Sequence, residues 1–294
     1  MNPRVSIILP VYNGAECVSN SIDSVLAQTY KDFELIVVND CSTDNTLEIL
    51  QKYAGRDNRV KAYTNEVNKK LPRTLNAGFE HATGEYLTWT SDDNMYRPEA
   101  IERMVKFLDD NSDCAMVYTD MTLVNELGDE IKEELKVAAQ PKELRIRSIC
   151  GACFMYRSSV AKQVGEYNPD LFLAEDFDYW IRISEVSKIM PLHENLYTYR
   201  LQPASLSGSL KWEIIKAQKI KVLDLHFDYL LSLCENDEDR ISFFDNYIKC
   251  SGRENRSSNL KKVCEIMPQY RKIDRTNRIN YCKYRIKVLL GMEK

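Results

Sequence analysis

Val5-Ser6-Ile7-Ile8-Leu9-Pro10-Val11-Tyr12-Asn13 is the stretch on which the fold turns. Val5 to Leu9 is a β-branched and aliphatic run bounded by Pro10, the composition of a strand buried on both faces. Working outward from it, similar runs recur at Glu34 to Val38, ending at Asn39-Asp40, and at Val60 to Tyr63. Two more follow at Tyr86 to Thr90, ending at Asp92-Asp93, and at Ala115 to Tyr118. Between them, Ala15 to Gln28 carries Val18, Ile22, Val25 and Leu26 at helical spacing. Thr43 to Tyr53, Leu71 to His81 and Pro98 to Leu108 also read as helices. Strands alternating with helices imply parallel βαβ units, hence an α/β, doubly wound sheet with helices on both faces.

In such sheets ligands sit at the carboxyl ends of the strands. The polar residues of this chain gather there: Tyr12-Asn13 after the first strand, Asn39-Asp40 after the second, Asp92-Asp93 after the fourth. Farther along, a hairpin is expected from about residue 122 to 136, turning at Asn125 to Asp129. After Tyr199 the texture changes. Residues from about 210 to 294 read as helices, with Trp212, Ile215, Ile220 and Leu223 on one apolar stripe. An acidic break at Glu235 to Asp239 and a loop near Ser251 to Asn259 divide them. The boundary between the α/β part and this helical region falls at 208/209.

Composition narrows the function. Forty Lys and Arg against 44 Asp and Glu leave a net charge of -4, which argues against the strongly basic face of a general nucleic-acid binder. No apolar run approaches the ~20 residues that cross a bilayer. The opening segment is too short and too strand-like for a signal peptide, so a cytoplasmic protein is expected. Nine cysteines, an odd number, suit a reducing compartment better than a disulfide framework.

Three acidic positions carry the chemistry. Ser91-Asp92-Asp93-Asn94 follows a buried strand directly. Adjacent residues leaving a strand point in opposite directions, so one carboxylate can hold a divalent cation while its neighbour reaches a ribose hydroxyl or a metal-bound water. Oxygen ligands of this kind suit Mg²⁺ or Mn²⁺ held together with substrate phosphates. The plainer alternative is capping of the helix behind Arg97-Pro98-Glu99. Asp40 could accept the N3–H of a pyrimidine beside the Tyr12 ring, or else cap the helix after Ser42-Thr43. In Ala174-Glu175-Asp176-Phe177-Asp178-Tyr179-Trp180-Ile181-Arg182, a carboxylate ahead of an aromatic-rich helix could take a proton from an acceptor hydroxyl. The alternative there is an acidic first turn favoured by the helix dipole.

Taken together these features resemble the inverting GT-A glycosyltransferases of family two, of the bacterial surface-polysaccharide type. Val5 to Asn13 resembles that family's opening strand. Ser24-Val25-Leu26-Ala27-Gln28-Thr29-Tyr30 and Phe33 to Asp44 resemble its next block, from which Asn39 and Cys41 depart. Ser91-Asp92-Asp93 stands where the family has its Asp-x-Asp-type metal motif. Gly151 to Arg157, Gly165-Glu166-Tyr167 and Glu175-Asp176 resemble acceptor-side blocks, and Tyr199-Arg200 with Ser205 and Ser207 resembles the loop folding over the diphosphate. The match runs from about residue 4 to 208 in the family's order.

The resemblance implies a GT-A catalytic domain over 1–208, with a nucleotide-binding half to about 95 and an acceptor-binding half from about 96, and a helical appendage over 209–294. It implies a donor site of Pro10, Tyr12, Asn13, Asp40, Asp92 and Arg200. Asp40 would bind the base with Tyr12 stacked beside it, Asp92 the ribose or sugar, and Arg200 the diphosphate. Asp93 would bind Mn²⁺ or Mg²⁺, and Asp176 would be the general base. Glu175, Tyr179 and Trp180 would face the acceptor, core packing being the alternative for both aromatics. Gln202 departs from a frequent histidine. A UDP-sugar is the expected donor, with dTDP-sugar behind it, and the expected acceptor is a saccharide or lipid-linked saccharide.

Other readings stay beside this one. A catalytically idle nucleotide-sugar-binding protein would share the fold. Nucleotidyl transfer would need a glycine-rich, lysine-bearing phosphate loop, which Tyr12-Asn13-Gly14-Ala15 does not supply. Cys150-Gly151-Ala152-Cys153 has zinc-half-site spacing but no partner pair and reads as buried structure. Residues 271–294 hold eight Lys and Arg against two acids, with Ile279, Cys282, Ile286 and Leu289 or Leu290 on one side of a helical pattern. That pattern suits either an anionic membrane surface or a helix packed on the protein.

Overall fold

The opening run becomes strand β1 (Val5–Val11), and all seven of its residues are buried. Strand β2 (Phe33–Asn39) is equally buried and pairs with β1 in parallel, Val5 opposite Phe33. Strand β3 (Val60–Thr64) adds to β2, and β4 (Tyr86–Trp89) to the other side of β1, both parallel. The computed structural model describes residues 2–135, 140–202 and 212–276. The chain folds as two compact units, Met1–Lys211 and Trp212–Lys294.

Helices cover both faces of the strands, which is why β1 and β2 need no polar alternation. Val5, Ile7, Leu9 and Val11 join a cluster with Ile22 and Val25 of α1 (Val18–Leu26) and with Ile101, Met104 and Leu108 of α4 (Ala100–Asp110). Leu50 of α2 (Thr46–Ala54) belongs to the same cluster. Ile8, on the opposite face, meets α3 (Lys70–Phe79).

Beyond β4 the sheet departs from the all-parallel expectation. Strands β5 (Met95–Tyr96), β6 (Cys114–Val124), β7 (Glu130–Leu135), β8 (Phe154–Arg157) and β9 (Lys188–Arg200) complete it. The order is β3-β2-β1-β4-β8-β6-β9-β5, with β7 paired to β6. β8 lies between β4 and β6, antiparallel to both, so β6 keeps the direction of β4 without touching it. β9 is parallel to β6, and β5 antiparallel to β9. The alternation missed these strands for separate reasons. β8 has four residues, too few to show a period, and β9 mixes Pro191, His193 and Glu194 into its run. The β6–β7 hairpin turns over Asn125–Asp129 as expected, with Gly128 N–H donating to Asn125 O at 3.1 Å.

α5 (Ser158–Val164) and α6 (Glu175–Val186) lie between β8 and β9 in sequence. The second unit contains α7 (Trp212–Leu225), α8 (Phe227–Ser232), α9 (Asp237–Cys250) and α10 (Arg256–Ile266). Its core includes Phe227, Phe243, Phe244 and Tyr247, and the Lys262 ammonium sits 3.6 Å from the Phe227 ring centre, a cation–π contact. Ile220 and Leu223 of the apolar stripe are buried. The acidic break is narrower than expected. Asp237, Glu238 and Asp239 form the first turn of α9, whose N-cap Asn236 accepts the Asp239 N–H at 2.9 Å, and acids there complement the helix dipole. Ser205, Ser207 and the apolar positions Ile279 to Leu290 lie outside the described residues. No helix among those described is long and apolar enough to cross a membrane.

Candidate active site

The strand order reverses at β1: β2 and β3 are laid down on one side, β4 on the other. That switch point opens a crevice at the carboxyl ends of β1 and β4. Pro10 helps to make it. It is in phase with Ile8, whose carbonyl accepts the Thr90 N–H at 2.9 Å. The β1–β4 ladder ends there, so proline's missing donor leaves no partner unpaired.

The loop after β1 is tied to the loop after β2. Asn13, at φ +53°, donates its N–H to Ser42 Oγ at 2.9 Å, and its Oδ1 accepts the Thr43 N–H at 2.8 Å. Gly14 N–H reaches Thr46 Oγ1 at 2.9 Å, and Ala15 N–H reaches Asp44 at 3.1 Å. Asp44 is drawn below its ordinary range: burial raises it, but the hydrogen bonds from Thr46 and Ala15 outweigh burial. Tyr12 is left half exposed on this platform, at 50%. A side chain at Gly14 would run into Val11 and the Asp92 carboxylate, so the loop approaches Asp92 only because residue 14 has none.

Asp40 is buried and accepts three hydrogen bonds. Oδ1 accepts Asn65 Nδ2 at 2.9 Å and Lys69 N–H at 2.7 Å, and Oδ2 accepts Lys70 N–H at 2.9 Å. It therefore binds the start of α3, not of α2 as the capping alternative held. Lys70, at φ +69°, is a non-glycine residue in the left-handed region, a backbone cost that these hydrogen bonds offset.

Asp92 and Asp93 are in a different state. β5 separates them from α4, and no side chain caps that helix at Glu99, so they are not its caps. Among the described residues no hydrogen-bond donor reaches either carboxylate from another side chain. Burial and the neighbouring Asp93 charge push Asp92 up to about 7. Asp93 is raised by burial too, against the opposing charge of Arg200. Two partly buried, mutually repelling carboxylates without a side-chain donor form a fitting donor set for a hard cation that takes its remaining ligands from phosphate and water. No group of three or more His, Cys, Asp or Glu side chains able to hold a metal exists among the described residues, so a cation here would rely on its substrate.

Arg200 ends β9 beside this pair. Its N–H donates to Asn94 Oδ1 at 2.8 Å, its Nε to the Asp93 carbonyl at 3.3 Å and its Nη1 to the Glu126 carbonyl at 2.7 Å. Gln202 Nε2 lies 3.5 Å from Cys17 Sγ, at the start of α1.

Asp176 stands in the first turn of α6 and accepts the Phe177 N–H at 2.7 Å. Its neighbour Glu175 is buried and accepts the N–H of Leu173, itself at φ +79°, at 2.7 Å. Burial and then the Asp176 charge push Glu175 up to about 8; burial raises Asp176 too, the Phe177 N–H opposing. Asp176 lies within electrostatic reach of Tyr167, whose hydroxyl accepts Trp89 Nε1–H at 3.0 Å. Trp89 ends β4, three residues before Asp92.

Tyr179 and Trp180 are buried, Trp180 completely. Tyr179 stacks on Tyr167 with ring centres 4.0 Å apart, and Trp180 packs against Phe154 at 4.4 Å. Of the two readings the sequence offers for them, packing is the one seen. Cys150 and Cys153 are likewise buried and free. The sequence reading did not find Trp89 or Asn65. Each acts through a partner distant in the chain, and neither sits in an acidic or glycine-rich motif.

The family described as Glycosyl transferase family 2 matches residues 6–165, and the chain belongs to it. It is 34% identical over 220 residues to an uncharacterized glycosyltransferase of Rickettsia typhi, covering 71% of this chain and 67% of that protein. Among solved structures it is similar to S. aureus TarS 1–349 in complex with UDP-GlcNAc (TM-score 0.60, 19% identity, 92% of each chain). It is also similar to the mannosyltransferase PcManGT from Pyrobaculum calidifontis in complex with GDP-Man and Mn²⁺ (TM-score 0.61, 16% identity, 99% of this chain and 84% of that one). The fold is therefore GT-A with a helical C-terminal region, and the activity class is glycosyl transfer.

Proposed function

We propose that the protein moves a sugar from a UDP-sugar to an acceptor hydroxyl by a single, inverting displacement that depends on a divalent metal. The observation that carries this reading is the Asp92–Asp93 pair, partly buried and without a side-chain donor among the described residues, at the switch point of the sheet. Pro10, Tyr12 and Asn13 form the platform for the base, and Asp40 holds the loop that closes over it. One lone pair of Oδ2, beyond the Lys70 bond, is available to an imide N–H. Asp92 orients the ribose or sugar. Asp93 would hold Mn²⁺ or Mg²⁺, which when bound would supply neutralisation of charge on the diphosphate. Arg200, through its Nη2, steadies the same diphosphate.

Asp176 accepts the acceptor's proton as its oxygen attacks the anomeric carbon from the face opposite the diphosphate. Inversion follows, with no covalent sugar–enzyme intermediate. Its raised proton affinity strengthens it as a base near neutral pH. Glu175 holds the turn before α6, and Tyr179 and Trp180 fix that helix. The ligands named in the two structural neighbours, UDP-GlcNAc in one and GDP-Man with Mn²⁺ in the other, support a nucleotide-sugar donor and a metal. The resemblance in sequence supports polysaccharide or glycolipid assembly as the setting. The excess of Lys and Arg over 271–294 supports peripheral contact with anionic lipid. Charge reversal at Arg278, Lys283, Arg285 and Lys287, read by liposome flotation, checks that contact.

The test is release of UDP from a panel of UDP-sugars, with acceptor saccharides, with and without Mn²⁺. Metal-dependent release with at least one donor is expected. Tight binding of UDP-sugars with no turnover across donors and acceptors would instead identify an idle binding protein.

A further inference from the structure

The turn of the β6–β7 hairpin lies well beyond Asp93 in the chain, yet it is linked to Asp93 through one side chain. Arg200 sits opposite Val124 at the end of β6, with Leu201 N–H donating to the Val124 carbonyl at 2.8 Å. Its guanidinium divides between the two places. Nη1 binds the Glu126 carbonyl at 2.7 Å and the Asn125 carbonyl at 3.5 Å, while Nε binds the Asp93 carbonyl at 3.3 Å. A planar, five-donor group of fixed shape transmits position between the groups it bridges.

The carbonyls that Arg200 grips are held by Asn125. Its Oδ1 accepts the N–H groups of Leu127 at 2.9 Å and Asp129 at 2.8 Å, and its Nδ2 donates to Asp129 Oδ2 at 3.1 Å. Such a side-chain-closed turn fixes the direction of its own carbonyls. Gly128, at φ +92°, completes the turn in a conformation that favours glycine.

We propose that Asn125 is a positioning residue of the donor site: it orients Arg200, and through Arg200 it places Asp93. The proposal rests on the reading of Asp93 and Arg200 as donor-site residues. Losing a partner that orients a ligand-bearing residue typically costs about 10- to 100-fold in metal affinity or activity. N125A is expected to fall at the mild end, because the backbone hydrogen bonds of the turn persist.

Calorimetric titration of UDP with Mn²⁺ into the full chain tests this, using N125A, N125D, R200K and the N125A/R200K double variant. N125A should weaken UDP binding about tenfold and raise the donor KM by a similar factor, with kcat changed much less. N125D keeps an oxygen for the Leu127 and Asp129 amides but sets a second carboxylate against Asp129 Oδ2, and should restore part of the affinity. In the R200K background, N125A should add little, since the strut is already shortened. A melting temperature within a few degrees of wild type, read for every variant, separates positioning from unfolding. Unchanged UDP affinity in N125A, or a loss that adds in full to that of R200K, would overturn the proposal while leaving the donor-site reading intact. If R200K itself leaves UDP–Mn²⁺ binding unchanged, the donor-site reading of Arg200 fails and this inference goes with it.

Discussion

Two strands of one sheet edge end in carboxylates of opposite condition. Asp40, at the end of β2, receives three hydrogen bonds from Asn65, Lys69 and Lys70. Asp92 and Asp93, after β4, receive none from another side chain among the described residues, and both bind their protons more tightly than ordinary carboxylates. A satisfied buried carboxylate is part of the scaffold, whereas an unsatisfied pair is a cost that persists where a ligand offsets it. The same residue type at equivalent places in the fold is thus tied into the chain in one case and left without a side-chain partner in the other.

The largest expected effect sharpens this contrast from outside it. Asp176→Asn should lower turnover by about 10²- to 10⁴-fold and leave UDP–Mn²⁺ affinity within about twofold. Steady-state kinetics beside calorimetry check both halves, and near-normal turnover would remove Asp176 from its role. Next, Asp93→Ala should weaken Mn²⁺-dependent UDP binding by about 100-fold without lowering the melting temperature, because it removes repulsion. Equal affinity with and without Asp93 would break the comparison at its ligand-binding end.

Asp40→Ala should act in the opposite sense, costing about 1–3 kcal/mol of stability because buried donors lose their acceptor. Urea denaturation reads it, and a stability unchanged from wild type would show that Asp40 is not scaffold. The smallest effect is in pH. Asp92 at about 7 and Glu175 at about 8 hold protons in the folded state that the unfolded chain loses near pH 4, roughly. Folded-state stability without metal should therefore fall as pH rises from about 4 to about 8, then level off. Asp92→Asn should flatten the lower part of that slope. A melting temperature that climbs across the window would contradict the assignment. Activity should rise as Asp176 ionises, above the usual carboxylate range because burial raises it.

Much of this was legible in the chain. The buried runs of β1 and β2 and the helices between them are local periodic signals, and the structure keeps each within a few residues. The β6–β7 turn was equally local, since Asn125 and Gly128 declare it. β8 was not legible as a sheet member, because Phe154–Arg157 is defined by two neighbours far away in sequence. Tyr179 and Trp180 illustrate the same limit. Their spacing in α6 is compatible with a pocket or a core, and only the stacking on Tyr167 and Phe154 decides for the core.

By itself, the sequence determined which strand ends carry carboxylates and which loops lack side chains, because those are properties of residue order and short-range backbone geometry. Only the tertiary structure decided which carboxylates are satisfied. That depends on donors brought in from Lys69, Lys70 and Asn65 by strands and helices whose packing no local pattern encodes. Hydrogen-bond satisfaction is a matter of ångströms between segments remote in the chain, and it is what separates Asp40 from the Asp92–Asp93 pair.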